Sequence, residues 1–215
     1  MPFSRDDFLD VFAAYNAAYW PLAVALWIAS AAAVIAVAFG RGRSRWAIGL
    51  LAFQWGWAAA AYHAALFSRI NPAAWLFAAG FASEAALLLW YGPIRGAIVV
   101  GHGSRTVGTI AGYAFLMYGL MYPAIALLGE LSYPRVPTFG VPCPLVLLTV
   151  GFLLLTRSLP VALVIVPVLW TAIGGSAAFL LGMHADLALP LGGVVLVAGL
   201  LPLTNRRDVA IRLQE

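Results

Sequence analysis

Only a few side chains in this sequence could carry out chemistry, and two of them stand alone in apolar segments. The chain of 215 residues has three histidines, eight acidic residues and one cysteine. His63 lies in the segment WAAAAYHAALF, and Glu84 lies in the segment GFASEAALLL. A histidine in such a segment can bind a metal ion, carry a proton or hydrogen-bond to a neighbouring helix. A carboxyl group there has to be protonated, paired or in contact with water.

Glu84 has the highest cost of burial in the chain. If the segment that starts at residue 72 is a helix, Glu84 lies about 18 Å along it, near the middle of a membrane. The interiors of the apolar segments contain no cation that could pair with it. We therefore expect a neutral carboxyl group that hydrogen-bonds to a partner such as Gln54. Such a group acts either as the coupling carboxyl of proton-coupled transport or as a structural link between helices.

The single cysteine, Cys143, lies in a Pro-Cys-Pro step, which interrupts helical hydrogen bonding. A thiolate is a soft ligand for copper(I), mercury or zinc, although the sequence has no CxxC or HxxH spacing. Two histidines could instead bind a haem, and a lone buried thiol often acts as a small apolar group. The candidate metal ligands are Cys143, His63, Met121 and His184, and the candidate haem ligands are His63 and His184.

The elements that position these residues are predicted to be membrane-spanning helices. Hydrophobic residues make up 64% of the chain and charged residues only 9%, whereas a soluble domain averages about 25% charged residues. Runs of about 20 apolar residues recur along the chain, as expected for helices that cross a bilayer. The predicted fold class is therefore an all-α integral membrane protein, a seven-transmembrane helix bundle. The predicted spans are 21–39, 46–67, 72–90, 107–128, 142–156, 161–181 and 187–203.

Two segments outside the spans have a distinct character. Residues 1–19 contain a predicted amphipathic helix, with Ser4 and Asp7 in a capping box at its start. It either lies along the membrane surface or lengthens the first span. Residues 129–144, which we call the lid, contain four prolines and are predicted to form a structured, non-helical cover at the mouth of the bundle. The remaining parts are the seven-helix domain at 20–204 and a polar tail at 205–215.

The basic residues predict the orientation of the chain. All twelve are arginines. Nine lie in the loops that join span 1 to 2, span 3 to 4 and span 5 to 6, and in the carboxyl-terminal tail. Three lie at the amino terminus and in the other loops. The positive-inside rule then predicts a cytoplasmic carboxyl terminus and an external amino terminus. Arginines in short loops do not predict nucleic-acid binding, and without lysine neither retinal nor pyridoxal phosphate can form a Schiff base.

In this orientation the polar side chains that could carry chemistry concentrate in the outer half of the bundle. We therefore predict a binding pocket for a small molecule or ion beneath the lid, with Glu84 deeper in the bundle as a buried carboxyl group. No cofactor is favoured. The predicted pocket residues are Asn16, His63, Asn71, Tyr122, Glu130, Cys143 and His184.

Four stretches carry a resemblance to a known family. They are FLDVFAAYNAAYWP (8–21), YHAALFSRINPAAWLF (62–77), YPRVPTFGVPCP (133–144) and LWTAIGGSAAFLLG (169–182). Through them the chain resembles, over nearly its whole length, a family of bacterial multi-pass membrane proteins catalogued as a domain of unknown function. The resemblance implies a location in the bacterial cytoplasmic (inner) membrane and implies no activity.

These observations favour a small-solute or ion transporter or permease embedded in the lipid bilayer. They favour an enzymatic role less. An alternative is a non-transporting accessory or sensing subunit of a membrane complex, since few polar groups are predicted at mid-depth. A second alternative is a membrane redox protein that binds a metal or haem. Either a homo-oligomer or a partner within a membrane complex is compatible with the sequence.

Overall fold

The structure is a computed structural model that describes residues 2–40, 44–101, 106–129, 131–156 and 159–212. Within these ranges the regular structure consists of helices, apart from one isolated antiparallel bridge between Val100 and Thr156. Seven α-helices follow one another along the chain. They are α1 (Arg5–Ala38), α2 (Ser44–Trp57), α3 (Ala74–Leu89), α4 (Thr106–Leu128), α5 (Pro142–Leu154), α6 (Ala162–Leu181) and α7 (Ala188–Arg212).

Four of the helical segments are long and apolar enough to cross a membrane. They are Arg5–Ala38, Ala74–Ile94, Val107–Leu128 and Ala162–Leu181. Pro142–Leu154 and His184–Leu200 are shorter apolar helices. The all-helical class predicted from the composition is confirmed in the described residues, and four helices are candidate membrane spans by length and hydropathy.

Two helices change their hydrogen-bonding pattern towards their carboxyl ends. Helix α2 continues as a π-helix over Ala58–Ala64, and α3 continues as a π-helix over Trp90–Ile94. A π-helix has a wider turn than an α-helix and often marks a functional site. In the first of these π-helices the adjacent residues Ala61, Tyr62 and His63 are all buried.

The first helix joins the amino-terminal amphipathic segment to the first predicted span, which is the second of the two arrangements that the sequence allowed. Ser4 and Asp7 form the predicted capping box at its start, with Asp7 N–H donating to Ser4 Oγ at 3.2 Å. The helix has a kink at Tyr19 (φ −130°, ψ 15°), two residues before Pro21, and continues beyond it to Ala38. Proline lacks the N–H that would complete the preceding turn, which explains why the axis bends there. The amino-terminal half packs its apolar stripe inward, burying Phe8, Leu9, Val11, Phe12 and Tyr15.

Helix α5 lies at the centre of the bundle. Each of its residues from Pro142 to Leu153 is buried. Glycines on α4 and α5 allow the two backbones to approach closely, since a Cβ atom at Gly151 would lie only 2.8 Å from the carbonyl oxygen of Gly112. Pro142, Cys143 and Pro144, which the sequence predicts as part of the non-helical lid, instead form the first turn of α5, where proline is tolerated. Below, the lid therefore means residues 131–141, and Cys143 lies in the helix that directly follows it.

Candidate functional site

The lid is anchored to α1 by a buried asparagine. Asn16 is 1% exposed, and its Nδ2 donates hydrogen bonds to Pro134 O at 2.7 Å and to Val136 O at 2.8 Å. Its Oδ1 accepts a hydrogen bond from Thr138 Oγ1 at 2.5 Å. Three hydrogen bonds to one side chain satisfy the amide and fix the lid backbone, which otherwise has no helical or strand partners. Asn16 therefore acts as a latch between α1 and the lid.

A second set of hydrogen bonds holds the lid against α1 and α2 at Tyr15. Its hydroxyl donates to Phe139 O at 3.0 Å and accepts a hydrogen bond from Trp57 Nε1 at 2.9 Å. Gly140 adopts φ +88°, and a Cβ atom there would lie 2.1 Å from the Tyr15 hydroxyl oxygen. Only glycine fits both the backbone angle and this space. At the exposed edge, Arg135 forms ion pairs with Asp6 and Asp10.

A polar cluster lies directly beneath the lid. Tyr122 donates a short hydrogen bond to Asp186 Oδ1, and both side chains are buried. Cys143 lies against the Asp186 carboxyl group and the Tyr122 hydroxyl, and the Nε1 of Trp170 faces its sulfur. That indole N–H has no hydrogen-bond partner. Helices α4, α5 and α6 and the turn before α7 thus each contribute one polar side chain to a single buried cluster.

Asp186 lies in the short 3₁₀ turn His184–Leu187, outside α6 and α7. Its burial raises the pKa of the Asp186 carboxyl group from the usual 3.8 to about 6, although hydrogen bonds from Tyr122 and Cys143 partly oppose the shift. The titratable groups that face it are Tyr122 and Tyr118 from α4, Cys143 from α5 and Tyr62 from the π-helix. The described ion pairs include none at Asp186.

The raised pKa predicts a pH-dependent stability. The folded protein keeps the Asp186 proton up to about pH 6, whereas the unfolded chain releases it near pH 3.8. The free energy of unfolding is therefore expected to fall between pH 4 and pH 6, by about 2–3 kcal/mol. Unfolding by SDS in mixed micelles measures this slope in the wild type and in Asp186→Asn. Equal slopes in the two proteins would contradict the prediction.

His63 lies inside an aromatic enclosure. It is 0% exposed, and both of its ring nitrogens lack a hydrogen-bond partner. The closest rings are those of Phe81 and Trp170, with centroids at 4.5 Å and 5.0 Å from the imidazole. The other rings in contact with it belong to Tyr62, Phe67 and Phe77. An imidazole that has no polar partner in such a shell is costly unless it serves a function.

Glu84 lies one helical turn beyond Phe81 on the buried face of α3. The side chain is 0% exposed, and neither carboxyl oxygen has a hydrogen-bond partner. The predicted hydrogen bond with Gln54 is not formed, and Gln54 Nε2 donates instead to Ser30 Oγ at 3.1 Å. The Oε1 of Gln54 is also without a partner. The centre of the bundle therefore contains several polar atoms whose hydrogen bonds are not made.

The predicted pocket residues separate into two groups. Four are buried near the lid or in the enclosure beneath it: Asn16, His63, Tyr122 and Cys143. His184 is exposed, and Asn71 is half-buried with its Oδ1 accepting from the Ala73 N–H at 3.1 Å. Glu130 lies outside the described residues. Sequence reasoning omitted Asp186 and Trp170 from the pocket, because neither residue type nor spacing connects them with Cys143.

The candidate metal ligands do not converge. Met121 is 47% exposed and His184 is exposed, whereas His63 and Cys143 are buried on either side of Trp170. In the part of the chain that the structure describes, no group of three His, Cys, Asp or Glu side chains is placed to hold a metal ion. The arrangement instead suits groups that hold and exchange protons.

The described surface has two cavities near these elements. One, of about 110 Å³, lies beside the lid and is lined by residues that include Arg5, Met183 and His184. The other, of about 450 Å³, lies at the opposite end of the bundle, next to Ser44, Arg45 and Val100. Neither cavity is lined by His63 or Glu84. The enclosed polar atoms are thus separated from both.

Comparison with known proteins gives one match. Residues 5–211 match a family of unknown function, DUF6064. This agrees with the expected resemblance to a domain of unknown function over nearly the whole chain. No curated protein and no solved structure shows significant similarity to the chain.

Proposed function

Because this chain belongs to the DUF6064 family of unknown function, we propose from its own geometry that it is a membrane permease for a small solute or ion, with its outer lid closed. Seven helices cross the bacterial inner membrane, the amino terminus is external and the carboxyl terminus is cytoplasmic. Four helices with sufficient length and apolarity support this placement, as do the nine-to-three distribution of arginines and the positive-inside rule.

One observation carries the proposal. His63 and Glu84 are fully buried at the centre of the bundle, and all four of their polar side-chain atoms lack partners. A structural link between helices would be hydrogen-bonded, since that bond is its contribution to stability. An ionisable group within a membrane that is not used for packing is a functional group by default. His63 and Glu84 are therefore the two proposed working groups of the permease.

The lid supplies the gate. It covers the start of α5 and is fixed by hydrogen bonds to Asn16 and Tyr15. Release of these hydrogen bonds opens the cluster around Cys143 to the outside, and His63 lies in the next layer below, in contact with Trp170. A gate held by a few replaceable hydrogen bonds can open on the microsecond-to-millisecond timescale of transport.

Flux through the purified protein tests this function. Proteoliposomes are adsorbed to a solid-supported membrane, and currents are recorded after concentration jumps of H⁺, Na⁺, K⁺, ammonium and acetate. We expect a current in the wild type that falls about tenfold or more in Glu84→Gln and in His63→Gln. Ser83→Ala is the matched control, since it replaces an exposed residue next to Glu84 in the sequence. A current that is unchanged in Glu84→Gln contradicts the proposal.

A second function, that of a non-transporting accessory subunit, is favoured by the close packing around the buried pair. No water-sized sphere reaches the unpartnered atoms of His63, Glu84 or Gln54. A protein that only docks to a membrane complex needs no internal pathway. Its signature is stoichiometric co-purification with one membrane partner after mild solubilisation, together with no current in any concentration jump.

A further inference from the structure

The larger of the two cavities lies at the end of the bundle opposite the lid, between the start of α2 and the segment that follows the π-helix Trp90–Ile94. Its volume of about 450 Å³ is within the range of about 300–1,000 Å³ that is usual for small-molecule sites. Residues 44–46 and four residues of the segment 96–100 line it. Arg45, Trp46 and Val99 are exposed, so this groove is open to the surroundings of the protein.

Hydrogen bonds fix the walls of the groove. Ser44 Oγ accepts a hydrogen bond from the Val100 N–H at 3.0 Å and donates one to Val100 O at 3.3 Å. The Gly101 N–H donates to Leu155 O, just after α5, at 3.1 Å. Ile98 is buried. Because the segment is already held by α2 and by the end of α5, a ligand does not have to order it, and that cost does not weaken binding.

Arg45 places its guanidinium group in the lining of the groove. The group lies across Gly96, which has φ +61°, and a Cβ atom at that position would collide with it. Within the described ranges, no ion pair includes Arg45 and no acidic residue lines the groove. A guanidinium group binds a phosphate group through two parallel hydrogen bonds. Helix α2 begins at Ser44, so the positive end of its dipole also lies there.

The loops predicted at this end of the bundle are basic throughout. Residues 40–45, 91–106 and 157–160 together contain six arginines and no aspartate or glutamate. No carboxylate in these loops can therefore compete with a ligand for the arginines. A surface with one sign of charge raises the local concentration of anions, so the ligand that complements the groove is an anion.

Exposed apolar side chains lie beside the arginines. Trp46 and Val99, both exposed, form part of the lining, and Ile94 is exposed nearby. The Arg95 guanidinium lies over the ring of Trp90, 4.6 Å from its centroid. Tryptophan beside arginine is typical of the depth at which membrane proteins contact lipid headgroups. A free phosphate ion would contact only the basic groups, whereas a phospholipid would also cover the apolar side chains.

We propose that this groove binds the phosphate group of an anionic phospholipid from the inner leaflet, with Arg45 as its main hydrogen-bond donor. The positive charge favours an anionic headgroup, and the exposed Trp46 and Val99 favour a lipid over a free anion. The inference goes beyond the proposed function. It requires this end of the bundle to lie at the membrane surface, but it does not depend on transport, so the absence of a current leaves it in place.

Titration of the purified full-length protein in a neutral detergent tests the site. The probes are phosphatidylglycerol and phosphatidylcholine with the same short acyl chains, and native mass spectrometry counts the bound lipid. We expect phosphatidylglycerol to bind about tenfold or more tightly than phosphatidylcholine, which has no net charge. Equal affinities overturn the proposal. Inorganic phosphate that binds as tightly as phosphatidylglycerol shows that the groove takes a free anion, and overturns the lipid as its occupant.

Substitution of Arg45 assigns the binding to the groove. Arg45→Gln is expected to weaken the binding of phosphatidylglycerol about tenfold or more. Arg45→Lys should give an intermediate affinity, since lysine keeps the charge but not the paired hydrogen bonds. Arg69→Gln is the matched control, because it removes an exposed arginine from the loop that joins span 2 to 3. An equal loss in Arg45→Gln and Arg69→Gln reflects net charge alone and overturns the site.

Fluorescence quenching locates the lipid without any change at Arg45, and so remains decisive if Arg45→Gln fails to fold. Phosphatidylglycerol with brominated acyl chains is added at about one molecule per protein, and it quenches the tryptophans close to it. We expect the quenched emission to fall in Trp46→Phe and to stay unchanged in Trp75→Phe, which replaces an exposed tryptophan at the start of α3. Quenching that is unchanged in Trp46→Phe places the lipid elsewhere and overturns the proposal.

Discussion

Replacing Asn16 with alanine is expected to increase the labelling rate of Cys143 by a membrane-impermeant maleimide roughly 100-fold. The substitution removes three hydrogen bonds to the lid and leaves the carbonyl groups of Pro134 and Val136 without donors in the closed state. In the open state water donates hydrogen bonds to those carbonyl groups. The substitution therefore destabilises only the closed state. A cost of about 2–4 kcal/mol corresponds to a change of about 30- to 1,000-fold in the open fraction.

The chain is well suited to this measurement because Cys143 is its single cysteine and is 5% exposed. Labelling of proteoliposomes is followed by mass spectrometry, with the reagent added to the outside. Thr138→Val removes one of the three hydrogen bonds and should give an intermediate rate. Asp10→Asn removes an exposed ion pair to Arg135 and should change the rate by less than about fivefold. Equal labelling of Asn16→Ala and Asp10→Asn would contradict the latch.

Replacing Glu84 with leucine is expected to abolish the current and to raise the free energy of unfolding by about 1–3 kcal/mol. Glu84 contributes no hydrogen bond in the closed state, yet its carboxyl group has lost its hydration. Leucine has a similar size and removes that cost without removing any contact between polar groups. A substitution that raises stability and abolishes activity is expected where the native residue serves function at a cost to the stability of the fold.

Asn16→Leu provides the contrasting variant. Asn16 and Glu84 are buried to nearly the same extent, at 1% and 0% exposure. Because every polar atom of Asn16 is hydrogen-bonded to the lid, the same substitution there should lower the free energy of unfolding by about 2–4 kcal/mol. SDS-induced unfolding measures both variants under one condition. If both lower the stability by the same amount, Glu84 has a partner that stabilises the fold.

Helix positions followed from local sequence to a large extent. The predicted segments 107–128 and 161–181 agree with α4 (Thr106–Leu128) and α6 (Ala162–Leu181) to within one residue. Apolar runs end where arginine, glycine or proline interrupts them, and these signals are local. The sequence left open whether residues 4–19 form a separate surface helix or lengthen the first span, because Trp20-Pro21 indicates a bend as readily as a break.

The central position of α5 could not be predicted. All seven helices are apolar on most of their surface, since lipid and protein interior favour the same side chains. Composition therefore does not show which helix is surrounded by the others. The central position of α5 depends on contacts such as the close approach of Gly112 to Gly151. That contact joins residues from two different helices, so it cannot be read from either helix alone.

By itself, the sequence determined the helical class, most helix boundaries and the identity of the unusual residues His63, Glu84 and Cys143. Only the tertiary structure decided which of the buried polar groups have hydrogen-bond partners. Asn16 finds its three partners 118 to 122 residues away in the lid, whereas Glu84 finds none. The physical reason is that burial follows from the apolarity of neighbouring residues, but a hydrogen bond requires atoms from distant segments to meet within about 3 Å.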